Sequence, residues 1–267
     1  MTPESAITDL PSLFGAAEKA TTTLPPAVWW RGQSRNLACW RLVPGIFRKP
    51  RSRDEEKNLM LEFKRRAQTR YPKCPPFDDN AAWVFLMQHY RMVTRLLDWT
   101  ESRLVALYFA VNAHSRDDGT LWAFSPFAHN KAETGKTVIF TGESPDFLSV
   151  IRPAFQANAP ETGKILAVIS REVDIRMTVQ LSVFTAHGTS EALDKRPHAG
   201  ECVMKFSIPA TAKTQLMGQL RNVGIRESTL FPDLEHLGAE LCRLTFQEAG
   251  GPGTSVPVRD SEQTPRA

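Results

Sequence analysis

Cysteine is scarce in this sequence and scattered. Cys39, Cys74, Cys202 and Cys242 lie far apart and form no CxxC pair, which predicts isolated reduced thiols and speaks against a disulfide framework or zinc. No apolar run approaches the roughly 20 residues needed to span a bilayer. The opening MTPESAITDL carries acids and no basic cluster ahead of an apolar core, so no secretory signal is expected and the expected compartment is the cytoplasm. Hydrolase signatures are missing too. There is no GxSxG elbow and no HExxH helix, and His89, His114, His129, His187, His198 and His236 show no ligand spacing. No metal is expected. The nearest approach to a phosphate loop, Glu133-Thr134-Gly135-Lys136-Thr137, has Asn130 where the first glycine is needed and reads as a hairpin turn.

What is present concentrates between Gln88 and Val111. Val93 to Trp99 mixes β-branched, aliphatic and aromatic residues with three polar ones, the pattern of a buried strand that ends at a polar edge. Thr100 and Glu101 open a helix whose Leu104, Ala106, Leu107, Phe109 and Ala110 form a broad apolar face. Gln88, His89, Thr94, Arg95, Asp98, Trp99 and Thr100 therefore gather where strand meets helix, a common place for a ligand in mixed α/β proteins. Each such polar group buried without a partner costs roughly 1 to 3 kcal/mol, so their density predicts a binding site. Arg31, at the end of a strand over Ala27 to Arg31 and beside Gly32 and Gln33, either grips a bound group with its planar fork or pairs with a carboxylate such as Asp98.

The net charge of +4 is mild but unevenly distributed: from Arg31 to Lys73 there are thirteen basic residues and four acids. A nucleic acid could be drawn to this stretch, or it is a solvated helix face. In chain order the pattern gives a helix from Asp9, a short edge strand and turn over Arg41 to Arg48, and helices over Asp54 to Thr69 and from Asp79. Strands follow at Gly119 to Phe124, Ile165 to Ile169, Leu181 to Ala186 and Cys202 to Ile208, with an irregular insert or lid over Pro126 to Lys164. Gln180 ends a short helix, another helix covers Thr211 to Val223, and a last one follows Asp233. The fold expected is α+β: a single domain over residues 5–248 with a mixed, largely antiparallel central sheet flanked by helices, followed by a disordered tail over 249–267.

Trp30-Arg31-Gly32-Gln33-Ser34, Gln88-His89-Tyr90, Thr94-Arg95-Leu96-Leu97-Asp98-Trp99-Thr100 and Ala106 to Ala110 together resemble the FRG domain family, named for its aromatic-Arg-Gly motif. The likeness extends to Arg176, Gln180 and Leu230 to Leu234. It departs at Arg91-Met92-Val93, where the family usually has a glycine and, just before the threonine, a proline. A weaker resemblance is to Arg-Ser-Glu type ADP-ribosyltransferases, in which Arg31, Thr94 or Thr100, and Glu227 fall in the order of the residues that hold NAD and stabilise the ribosyl cation. The resemblance implies NAD as substrate, catalytic roles for Arg31, Thr94 and Glu227, and a toxin or defence effector that modifies a macromolecule. A non-catalytic module that senses a nucleotide or nucleic acid, or a metal-independent nuclease, is the alternative.

Overall fold

A computed structural model describes residues 6–37, 41–170 and 174–247; Cys39, residue 5 and the expected tail lie outside the described residues. Helix α1 (Leu10–Thr23) starts where Asp9 and Ser12 cap each other reciprocally, satisfying amides that the first turn leaves free. Strand β1 (Trp29–Gln33) follows. Helix α2 (Arg53–Ala67) opens on a Ser52–Glu55 capping box, and α3 (Asn80–His89) is capped by Asp79. Next come β2 (Leu96–Thr100), α4 (Arg103–Val111, capped by Ser102) and β3 (Gly119–Phe124).

The stretch expected as an irregular insert is ordered. It forms α5 (Pro126–Thr134), a two-residue strand β4 (Phe140–Thr141) and α6 (Pro145–Ile151), with prolines pre-set at the first turn of both helices. Gly135 ends α5 in the left-handed conformation at φ 76°, so that stretch is a helix cap and no hairpin. The chain closes with β5 (Ile165–Ile169), α7 (Ile175–Val179), β6 (Ser182–His187), α8 (Ala199–Cys202), β7 (Val203–Ile208), α9 (Lys213–Asn222), α10 (Glu227–Leu230) and α11 (Leu234–Gln247). Of the short edge strand and turn expected over 41–48, the turn is present at Gly45–Phe47 as a 3-10 turn and the strand is not, because Pro44 and Gly45 interrupt the extended run. Among the described residues no helix is long and apolar enough to cross a membrane.

Among the described residues seven strands form one sheet in the order β4-β5-β6-β2-β1-β3-β7. Only β4 and β5 are parallel; the fold is α+β with a mixed, largely antiparallel sheet, and β2 is its middle strand. Side-chain alternation sorts the core. Trp29, Leu97, Trp99, Trp122, Phe124 and Val183 pack together on one face. On the other face lie two separate helical groups. Helices α1, α4 and α9 cover β1, β3 and β7 through Leu13, Ala106, Leu107, Leu121 and Leu216, while α2, α3 and α6 cover β2, β6 and β5 through Met60, Phe85, Leu96, Phe147 and Phe184.

Candidate functional site: an arginine-rich cavity at the seam of the sheet

Strand β1 runs beside β3 over five residue pairs, from Trp29–Phe124 to Gln33–Thr120, yet meets β2 at one, Trp30–Thr100. The two strands then part. Their divergence, together with the parting of the two helical groups above them, leaves a cavity of about 480 Å³. Residues of both sheet faces line it, Leu97 and Trp99 from one and Asp98 and Thr100 from the other.

Arg31 bridges the gap. Its Nη1 donates to the Asp98 carbonyl at 2.5 Å, while its Nε is buried without a partner. Burial pushes the guanidinium pKa down to about 10, with Asp98 opposing and Arg48 reinforcing that shift, so the group stays charged at neutral pH. The carboxylate of Asp98 is held by the Gln88 amide, whose Nε2 lies 2.8 Å from both oxygens. Gln88 in turn accepts from the Thr94 hydroxyl. Thr94, Gln88 and Asp98 thus form a chain of hydrogen bonds that fixes the carboxylate at the mouth of the cavity. Deeper in, Thr100 donates to the Gln180 carbonyl at 2.6 Å, Trp99 Nε1 donates to Thr185 at 3.1 Å, and Gln33 accepts from Trp122 Nε1 at 2.7 Å.

Four arginines, Arg31, Arg48, Arg91 and Arg176, and one carboxylate, Asp98, are the charged residues along the cavity wall. They arrive from four different parts of the chain. Arg48 follows the 3-10 turn, where its Nε donates to the Val43 carbonyl at 3.2 Å. Arg91 and Arg176 both lie over the Phe231 ring, at 5.9 and 4.5 Å from its centre, a face that favours cations. Burial and the neighbouring Arg91 hold the Arg176 pKa below its ordinary value, against the pull of Asp98, Asp174 and Asp233.

Of the residues expected from the sequence, Arg31, Gly32, Gln33, Gln88, Thr94, Asp98, Trp99, Thr100 and Gln180 all line the cavity. His89 sits in a small side hollow shared with Gln88, Asp98 and Gln180. Its Nε2 lies 3.9 Å from Asp174, and burial lowers its pKa more than Asp174 raises it. Three expectations change. Arg95 points away from the cavity: its guanidinium is buried between Glu56, at 2.6 and 2.7 Å, and Glu161, at 2.6 and 2.9 Å, because the alternation that places Asp98 and Leu96 on the helical face leaves position 95 outside the strand. Glu227 opens α10 outside the cavity wall and is ion-paired with Arg243 at 2.6 Å. Gly32 does not end its strand, which runs on to Gln33; a Cβ there would lie 1.9 Å from the Ala106 carbonyl oxygen and 2.6 Å from Ala110 N, so the glycine admits α4.

Arg48 and Arg91 escaped the sequence reading because they lie in loops, where no periodicity fixes direction. Arg91 did leave a trace. It adopts φ 60°, a conformation that favours glycine, within the Arg91-Met92-Val93 stretch where the sequence departs from the pattern it resembles.

An open mixed sheet with a cationic cavity at its centre is the class of architecture these observations define. The FRG domain model matches residues 26–119, from the approach to β1 through β2 and α4 to the start of β3. The chain carries an FRG domain over that span. Gln180, Arg176 and Glu227 lie beyond the matched residues. No curated protein and no solved structure matches the chain.

Proposed function

We propose that the seam cavity binds a nucleotide through its phosphates, with NAD as the ligand implied by the sequence resemblance. The observation that carries this reading is that four arginines and a single carboxylate line one cavity. Guanidinium forks bind phosphate oxygens in pairs. The buried, unpartnered Nε of Arg31 supplies a donor that a ligand oxygen would satisfy, and the wall of Trp99, Val105, Ala106 and Phe109 offers an apolar surface for a base or a nicotinamide ring. Arg31→Lys keeps the charge and loses the fork. It is expected to weaken nucleotide binding by about 1.5 to 3 kcal/mol, or roughly 10- to 150-fold in Kd, with the protein still folded. Calorimetry with NAD, ADP and pyrophosphate measures this; absence of heat with all three at millimolar concentration would end the proposal.

A transferase reading is favoured by one further observation, the fixed carboxylate of Asp98 at the mouth of the cavity. A carboxylate suits the oxocarbenium-like transition state formed when the nicotinamide–ribose bond breaks. With Glu227 paired to Arg243 outside the cavity wall, the role passes to Asp98. Asp98→Asn is then expected to reduce nicotinamide release by roughly 100-fold or more while leaving nucleotide affinity equal or stronger, whereas Glu227→Gln leaves both unchanged. Nicotinamide release assayed by chromatography decides it: loss in Glu227→Gln and retention in Asp98→Asn would reverse the assignment.

A nucleic-acid contact over residues 31–73 has narrower support. Lys49, Arg51 and Arg53 line a second concavity of about 640 Å³, with Arg53 itself donating to the Ala159 carbonyl at 2.8 Å and lying 3.8 Å from Glu161. Much of the remaining charge is engaged within the protein: Arg35 with Asp117, Arg65 and Arg66 with Glu62, and Lys64 with the Phe77 carbonyl and Asn80.

A further inference from the structure

Away from the cavity, beside Phe124 on the tryptophan-lined face of the sheet, three side chains with metal-ligand chemistry converge. His129 comes from α5, His198 from the residue before α8 and Cys202 from its last position, and one ligating atom of each lies within 4.8 Å of the other two. His129 Nδ1 and His198 Nε2 are 3.0 Å apart. The other ring nitrogen of His129, Nε2, lies 2.9 Å from the carbonyl oxygen of Ile165 on β5. A carbonyl only accepts, so Nε2 carries the proton and the Nδ1 lone pair faces His198. Metal-binding histidines are oriented in this way, by a backbone carbonyl that fixes the tautomer behind the ligating atom. Cys202 is a free thiol, 1% exposed. Close by, the Glu133 carboxylate lies 3.5 Å from His198 Nε2 and is itself held by Arg196 and by the Ile165 amide.

We propose that His129 Nδ1, His198 Nε2 and Cys202 Sγ form a zinc site, with water as the fourth ligand. Two imidazoles and a thiolate are borderline-soft donors of the kind that hold this ion. Ligand atoms about 2.0 to 2.3 Å from a tetrahedral zinc sit roughly 3.3 to 3.8 Å from one another, so the cluster closes around the ion with small side-chain shifts. On binding, the thiol proton leaves to solvent. The proton that His198 Nε2 shares with His129 moves to the other nitrogen of its own ring, so one proton is released per ion. Glu133 supplies a fixed negative charge beside the resulting centre. The ion would tie α5, which packs on β5, to α8, which leads into β7, at a site independent of the nucleotide reading.

The test uses the full chain, stripped with a chelator and titrated with Zn²⁺ against a chromophoric competitor, and in parallel with Co²⁺. One zinc per chain is expected, with a rise in melting temperature, and the cobalt form should show thiolate-to-metal charge-transfer absorption. Cys202→Ser should lose that absorption and weaken zinc binding at least tenfold. His198→Gln should weaken binding at least tenfold and keep the absorption; it guards against a Cys202 variant that fails to fold. A chain with Cys39, Cys74 and Cys242 all changed to serine should behave as wild type. Less than one equivalent of zinc in the wild type, thiolate absorption that survives Cys202→Ser, or its loss in the triple-serine chain would overturn the site. The first of those results would leave the His129–His198 contact as a hydrogen bond alone.

Discussion

Gly32→Ala is expected to destabilise the protein by about 3 kcal/mol or more, the upper end of the cost of forcing extra atoms into a packed interior. The reason is geometric. A Cβ at position 32 would lie 1.9 Å from a backbone oxygen of α4 and 2.6 Å from a backbone nitrogen, and backbone cannot swing aside as a side-chain tip can. Helix α4 would have to lift from β1, carrying Ala106 and Phe109 out of the cavity wall, so ligand binding should fall together with stability. The same substitution at Gly15, exposed in the middle of α1 with nothing within 4 Å of its added carbon, should instead stabilise by up to about 1 kcal/mol, since alanine favours helix. Thermal denaturation of both variants checks the pair; a wild-type melting temperature for Gly32→Ala would show that α4 does not press on β1 as described.

Glu56→Ala is expected to cost about 3 to 5 kcal/mol, the range found when one partner of a buried ion pair is removed. Arg95 is 1% exposed and Glu56 4%, and their two-pronged contact at 2.6 and 2.7 Å joins α2 to the chain just ahead of β2. Burial alone would pull the Arg95 pKa down, yet the bonds from Glu161 and Glu56 outweigh it and hold the group more firmly charged than usual. Without Glu56 that charge keeps only Glu161, whose side chain is 31% exposed and whose grip is screened by solvent. Glu161→Ala should accordingly cost less, on the order of 1 kcal/mol. Urea denaturation separates the two. Because Arg95 stands outside the cavity, neither change should alter the affinity of the folded protein for nucleotide; a selective loss of binding in Glu56→Ala would return Arg95 to the ligand site.

These two residues also show where the sequence could be read and where it could not. The polar cluster from Gln88 to Thr100 does assemble around one cavity with Arg31, and the reason was visible: those groups are hydrogen-bonding residues embedded in apolar sequence, and such groups need partners. The direction of each was less visible. Arg95 and Asp98 are three residues apart, and only the start of β2 at Leu96 decides that one faces Glu56 and the other Gln88. Gly32 lies just past the strand expected over Ala27 to Arg31, and what its bare backbone admits is a helix; a partner so distant in sequence leaves no local mark. Strands β2, β3, β5, β6 and β7 and the amphipathic helices followed from periodicity. The region over 126–164 did not, because its helices are short and take their order from packing Phe147 and Val150 against α3. His198 and Cys202, four residues apart, carried a spacing that could have been noticed; His129, sixty-nine residues earlier, completes the set only through the fold.

The lone pairing of Trp30 with Thr100 gives the molecule a mechanical asymmetry. Bending one half of the sheet against the other at its centre disturbs a single ladder pair, whereas opening any other junction between the six strands from β5 to β7 disturbs at least four. Compliance is therefore concentrated at the seam, with α4, which packs on β1, β2 and β3, as the leaf spring behind it. An anion held at once by Arg31 from β1 and by Arg176 from α7 would act there as a rivet, so occupancy of the cavity and stiffness of the whole sheet are coupled. Amide exchange in β1 and β2 is the quantity in which that coupling shows, slowing with ligand at strands that already lie in the middle of the fold.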